Sequence, residues 1–221
     1  MLSIKKKMME SSRQRKLRQF LACYEGGAVL DVGVSSIEWS DSINFFTRYF
    51  AGSDFSREYV GLGIQDLASR YSRLNFVQYS GGNFPFGDQV FEWVFSNAVI
   101  EHVGSRDEQL HFLQEMLRVG RNVFFTTPKR YFPVELHTNV PLLHIFLSKV
   151  YFDKYLSRIG KSFATGGYMN LLSKREVLSL TEKAINNSRV HCKLIRNRIL
   201  GFTCTFSVIL SNDDQNSRVT S

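Results

Sequence analysis

With 221 residues, 43% of them apolar and 22% charged, the chain is long enough to bury one core and short for two. This composition excludes a disordered or low-complexity protein, apart from a polar tail after Asn212, and no apolar run is long enough to span a membrane. The formal net charge of +8 admits three kinds of anionic partner: nucleic acid, a membrane surface or a phosphorylated substrate.

In chain order, residues 8–24 read as a helix with Leu17, Phe20 and Leu21 on one side, ended by Gly26 and Gly27. Residues 28–32 are a short apolar run between glycines, as expected of a parallel strand covered on both faces. Residues 41–50 read as a helix, and residues 58–64, 74–78 and 91–96 as three further strands. Ser105 stands three residues before Glu108, the capping-box spacing, so a helix starts there; Leu110, Leu113, Met116 and Leu117 follow at helical spacing and Gly120 stops it. Residues 122–126 form a fifth strand. Ser173 and Glu176 repeat the capping box, and residues 192–200 and 202–210 read as a closing strand pair turning at Gly201.

Strands alternating with helices imply crossover connections and a mostly parallel sheet, with an antiparallel hairpin at the end. The expected organisation is a single domain: a basic helix (1–26), a core (27–128), an insertion (129–172), a helix and strand pair (173–212) and a tail (213–221). The insertion breaks the alternation after the fifth strand, where a long segment is expected to act as a lid.

The three cysteines, Cys23, Cys192 and Cys204, lie far apart and include no Cys-x-x-Cys pair. That pattern argues against a disulfide framework and a zinc site, and for reduced thiols in a cytoplasmic setting. The basic start, Lys5 to Lys7, is followed by no apolar segment of a secretory signal. Much of the charge is early, at Lys5, Lys6, Lys7, Arg13, Arg15, Lys16 and Arg18, and reads either as a solvated helix face or as an anion-binding arm. Aromatic residues do not interleave with it, which disfavours single-stranded nucleic acid.

In an open α/β sheet, ligands bind beyond the carboxyl ends of the strands. The first strand ends Asp31-Val32-Gly33-Val34-Ser35-Ser36, where Gly33 permits a tight turn and a close approach of ligand to backbone. Such a turn suits an adenosine-type cofactor, but G-x-G-x-x-G is absent, which counts against a nicotinamide enzyme.

The run from Phe84-Pro85-Phe86 through the fourth strand to Ser96-Asn97-Ala98-Val99-Ile100-Glu101-His102-Val103 is more specific. With residues 29–33 upstream, it resembles the class I S-adenosylmethionine-dependent methyltransferases over about residues 27–127. The stretch 118–138, with Val140 to His144 and Asn170 to Ser173, resembles a bacterial type 11-like branch, some members of which look linked to surface glycans or lipids. The resemblance implies a Rossmann-like fold, mostly parallel with an antiparallel C-terminal strand and a helical lid, and S-adenosylmethionine as cofactor.

By that resemblance Asp31, Gly33, Val34 and Ser35 line the methionine end of the cofactor, flanked by Ser96, Asn97 and Ala98. Gly63, Ile64, Gln65 and Asp66 face the ribose; Ser80, Gly81, Gly82, Asn83 and Phe84 lie against the adenine. His102 and His137 are the candidate catalytic groups; Tyr131, His137 and His144 are candidate substrate contacts. Two positions depart from the family: Gly63 stands where a ribose-binding carboxylate is usual, and Ser80-Gly81-Gly82 replaces an acidic residue near the adenine. His111 and His191 receive no role, and no metal is expected.

Transfer from a sulfonium needs mainly alignment, with a general base where the acceptor must lose a proton, for which histidine is suited. The implied function is methylation of a small-molecule, glycan or lipid-linked acceptor. The alternatives are an RNA methyltransferase, motivated by the charge, and a catalytically silent partner protein, motivated by Gly63 and Ser80. The apolar stretch 141–152 reads as a lid helix over the cofactor, or as peripheral contact with an anionic membrane helped by Lys149 and Lys154.

Overall fold

The computed structural model describes residues 2–35, 44–65, 73–130, 149–160, 170–186, 189–199 and 201–212. Helix α1 (Leu2–Leu21) precedes β1 (Val29–Val32), α2 (Phe45–Ala51) and β2 (Tyr59–Gly63). Then come β3 (Asn75–Gln78), β4 (Phe91–Asn97), α3 (Arg106–Val119) and β5 (Gly120–Pro128). Helices α4 (Lys149–Arg158) and α5 (Lys174–Ile185) lead to the last strands, β6 (Val190–Ile199) and β7 (Phe202–Asn212).

The seven strands form one sheet in the order β3-β2-β1-β4-β5-β7-β6. The first five are parallel; β7 runs antiparallel between β5 and β6. The expected Rossmann-like architecture with an antiparallel end is thus present. Gly201, at φ +84°, makes the tight reversal between β6 and β7 that few other residues tolerate.

Strand alternation divides the core. Leu30, Val32, Leu62, Val94, Val123 and Phe125 face α3 and α5 with Leu113, Met116 and Val177. On the other face Val29, Tyr59, Trp93, Phe95 and Phe124 meet α1 and α2 through Phe20, Phe46 and Phe50. Phe20 is the centre of this aromatic layer, edge-on to Phe46, Trp93, Phe95 and Phe124.

Both capping boxes form as read. Ser105 accepts from the Glu108 N–H and Glu108 from the Ser105 N–H, and Ser173 and Glu176 do the same for α5. Helix α1 begins at Leu2, earlier than the 8–24 reading, because its basic first turns remain helical. Gly120 ends α3 in extended geometry and is itself the first residue of β5, leaving no loop between them. The insertion's two ends meet in a bridge between Lys129 and Leu172. Asn170 fastens the returning end: its N–H donates to the Glu101 carbonyl and its side-chain amide to the Gly104 carbonyl, both at 2.6 Å. Among the described residues no helix is long and apolar enough to cross a membrane.

Candidate cofactor and acceptor site

Strand order reverses between β1 and β4, so their carboxyl ends diverge and open a crevice, the usual ligand position in such sheets. A cavity of about 1040 Å³ lies there, at the upper limit of about 300–1,000 Å³ usual for small-molecule sites. Gly33, Val34 and Ser35 line it from β1, Gly63, Ile64 and Gln65 from β2, and Asn97, Ala98, Val99 and His102 from β4. Gly81 and Gly82 line it from the loop after β3.

The turn after β1 leaves no room for a side chain. Gly33 has φ +91°, and a Cβ there would lie 2.2 Å from Val99 Cγ2. Its N–H donates to the Leu62 carbonyl, tying the turn to β2. Asn44 clamps Ser35 from both sides: Ser35 N–H donates to Asn44 Oδ1 at 3.2 Å, and Asn44 Nδ2 donates to the Ser35 carbonyl at 2.7 Å. A Cβ at Gly63 would meet the Val34 carbonyl at 2.9 Å, so the β2 end is closed against that turn. Glycine at position 63 therefore has a packing reason.

Asp31 is buried on the α2 side rather than lining the cavity. Its Oδ2 accepts from Tyr59 Oη at 2.8 Å and Thr47 Oγ1 at 3.0 Å. Burial pushes its carboxyl up to about 7, against the pull of the two hydroxyls. Ser96 is also buried, its hydroxyl donating to the Val32 carbonyl at 3.3 Å, and so is Phe84. Asn83 Oδ1 lies 2.8 Å from His111 Nε2, and it is His111 that lines the cavity. Of the residues named from sequence, Asp31, Asn83, Phe84 and Ser96 thus support the wall, whereas the glycines, Val34, Ser35, Ile64, Gln65, Asn97, Ala98 and His102 form it. Asp66, Tyr131, His137 and His144 lie outside the described residues.

Several lining residues were not anticipated. Arg13 reaches the cavity from α1, and Asn44, Phe45, Tyr79 and Phe112 join it. Behind Asn97, Lys16 is only 5% exposed and donates to Asn97 Oδ1 at 3.0 Å. The helical spacing of Arg13, Lys16, Leu17 and Phe20 was the available signal, but the basic segment read as a solvated helix face or an anion-binding arm, neither of which buries Lys16. Glu101, fully buried, accepts from Thr127 Oγ1 at 3.2 Å and offsets the charge of Lys16. His102, next in sequence, is exposed at the cavity. Among the described residues no three His, Cys, Asp or Glu side chains gather as a metal site.

Comparison with known proteins agrees with this architecture. The methyltransferase domain family matches residues 30–122. A SAM-dependent methyltransferase from Methanosarcina mazei superposes with a TM-score of 0.51 at 14% identity, covering 86% of this chain and 93% of that one. The N-terminal domain of EvdMO1, solved in the presence of SAH and D-fucose, gives 0.55 at 13% identity over 91% and 82%. Phosphoethanolamine N-methyltransferase 2 of Haemonchus contortus, in complex with S-adenosyl-L-methionine, gives 0.56 at 11% identity, over 90% of this chain and 52% of that one. At these identities the likeness is one of fold. No curated protein matches the sequence.

Proposed function

We propose that this chain, which belongs to the class I S-adenosylmethionine-dependent methyltransferases, methylates a small-molecule, glycan or lipid-linked acceptor in the cavity at the β1–β4 switch. The observation that carries this reading is the turn at Gly33, where the missing Cβ and the Asn44 clamp hold backbone against open cavity. The residues present suit the cofactor. Gly33, Val34 and Ser35 would take its methionine end with Asn97 and Ala98; Gly63, Ile64 and Gln65 the ribose; Gly81 and Gly82 the adenine.

The cofactor, when bound, supplies an activated methyl group on a sulfonium. The protein's part is then alignment, which can supply much of the rate when reacting atoms are held at contact distance. Asp31 fixes the β1 end through Tyr59 and Thr47, Asn97 is held by Lys16 and Thr126, and the Asn170 bonds restrain the segment that carries His102. His102 is the group best placed to take a proton from a hydroxyl or amine acceptor.

Calorimetric titration with S-adenosylmethionine and S-adenosylhomocysteine tests the reading. Binding of both is expected, with Asp31→Ala weakening it more than His102→Ala. Absence of heat and of thermal shift with either ligand would overturn the enzyme reading, and the reverse order of the two variants would overturn the roles.

A further inference from the structure

Charge is not spread evenly over this chain. Segments 2–22 and 189–212 hold eleven of the 28 Lys and Arg residues and one of the 20 Asp and Glu, so the remainder is net negative. The fold brings these two segments together. Arg15 Nη1 donates to the Arg198 carbonyl at 2.9 Å, and Gln19 Nε2 donates to Asn197 Oδ1 at 2.8 Å. The Ser207 hydroxyl accepts from Asn197 Nδ2 and donates to Gln19 Oε1, each at 2.8 Å, so α1 is fastened to the β6–β7 pair.

Strand β6 ends the sheet, and its outer edge meets no other strand among the described residues. Lys193, Arg196 and Arg198 of β6 are exposed, as are Arg15 and Arg18, which lie one turn apart on the stripe of α1 that meets β6. Among the described residues none of the five meets a carboxylate. The hairpin turn extends this surface with an apolar group. Pro128, at the carboxyl end of β5, pairs with Thr205, so Phe202 lies past the end of the sheet where the cavity opens. Phe202 follows Gly201 in the reversal and is 62% exposed, at a place where turns ordinarily carry polar residues.

We propose that the α1–β6 edge is a docking surface for an anionic lipid bilayer, with the Phe202 ring entering the boundary between headgroups and acyl chains. Unpaired cations beside a projecting ring match such a surface, which attracts the first and takes up the second. A second copy paired along β6 would set cations against cations. Single-stranded RNA would need rings among the cations to stack its bases, and Phe202, the exposed ring of this surface, stands beyond them at the tip. Docking of this kind brings the cavity rim to the membrane and selects the lipid-linked class of acceptor. That last step rests on the methyltransferase reading; the docking surface does not.

Vesicle flotation of the full chain tests the proposal. Phosphatidylcholine vesicles containing phosphatidylglycerol should bind the protein, those of phosphatidylcholine alone should not, and added salt should weaken the binding. Each cation at an anionic surface contributes about fivefold, so the triple variant Lys193→Gln, Arg196→Gln, Arg198→Gln should bind at least about tenfold more weakly, with an unchanged circular dichroism spectrum. Phe202→Trp should give a blue shift in fluorescence with anionic vesicles that the unsubstituted protein lacks. Absence of binding to anionic vesicles, equal binding by the triple variant, or no shift in Phe202→Trp overturns the proposal. Binding of a single-stranded oligoribonucleotide without binding to vesicles would assign the face to nucleic acid and also overturn it. Titration with S-adenosylhomocysteine is a separate measurement: its failure overturns the methyltransferase reading and leaves the docking surface to be decided by the vesicles.

Discussion

Lys16 Nζ donates to Asn97 Oδ1 across 3.0 Å, joining α1 to the end of β4 over 81 residues of sequence. Burial lowers the Lys16 ammonium to about 8, with the buried Glu101 carboxylate opposing that fall. Replacing Lys16 by Met removes the cation but leaves Glu101 fully buried, so the loss is not offset as it would be if both partners were removed. Lys16→Met should destabilise the protein by about 1–3 kcal/mol, as for a lost bond to a charged group, measured by urea denaturation at pH 7. Stability equal to or above that of the unsubstituted protein would show that the link is dispensable.

Asp31 gives the fold a pH dependence whose sign is set by burial. Its carboxyl is raised from an ordinary 3.8 to about 7 in the folded protein. Between those values the folded state holds the proton more tightly, so this group's contribution to stability is full below about 4 and is lost as pH rises through 7. Asp31→Asn keeps an oxygen for Tyr59 and Thr47 and cannot ionise. Relative to that variant, the unsubstituted protein should lose on the order of a few kcal/mol of stability between pH 4 and pH 8. Parallel denaturation curves at pH 4, 6 and 8 check this; a constant difference would mean that Asp31 does not titrate in that window.

The parts of the fold legible in the sequence are those set by local rules. Ser105 with Glu108, and Ser173 with Glu176, start helices because each box satisfies backbone donors within four residues. The runs 28–32 and 91–96 read as strands because they are short, apolar and too brief for a helix. The cavity wall was legible at Gly33, where a glycine after the strand marks close approach, whereas Gly63, Gly81 and Gly82 were named only through the resemblance. It was not legible where it depends on which face a side chain takes. Asp31 alternates onto the α2 side, where Thr47 and Tyr59 hold it, and the strand pattern alone gave no reason to separate it from the cavity. Lys16 and Arg13 belonged to a basic run whose amphipathic stripe was obscured by charge, and the acceptor of the Lys16 bond lies in β4.

Glu115 holds the segment that leads into β4. Its Oε2 accepts from the Phe84 N–H at 2.6 Å and from Arg118 Nη2 at 2.7 Å, while Arg118 also donates to the Phe84 and Phe86 carbonyls. Glu115→Ala leaves a buried backbone donor without its acceptor and frees the arginine. The expected cost is about 2–3 kcal/mol, measured by thermal or chemical denaturation. Glu115→Gln, which can still accept from Phe84, should recover part of it; equal losses in both variants would point to packing instead.

Gly33 and Val99 give the sharpest test of the turn. Gly33→Ala meets two separate obstacles: a backbone at φ +91°, and a Cβ that would fall 2.2 Å from Val99 Cγ2. The backbone term alone costs on the order of 1–2 kcal/mol for a residue with a side chain. The overlap adds to it, since something must shift before the methyl fits. Val99→Ala removes both Cγ atoms and should relieve the overlap but not the backbone strain. The double variant should therefore be more stable than the sum of the two single losses predicts, by about 0.5–3 kcal/mol, the range for residues in contact. Binding of S-adenosylhomocysteine should follow the same order: lost in Gly33→Ala and partly recovered in the double variant. Additive losses would mean that the turn yields at the backbone and that Val99 does not confine it.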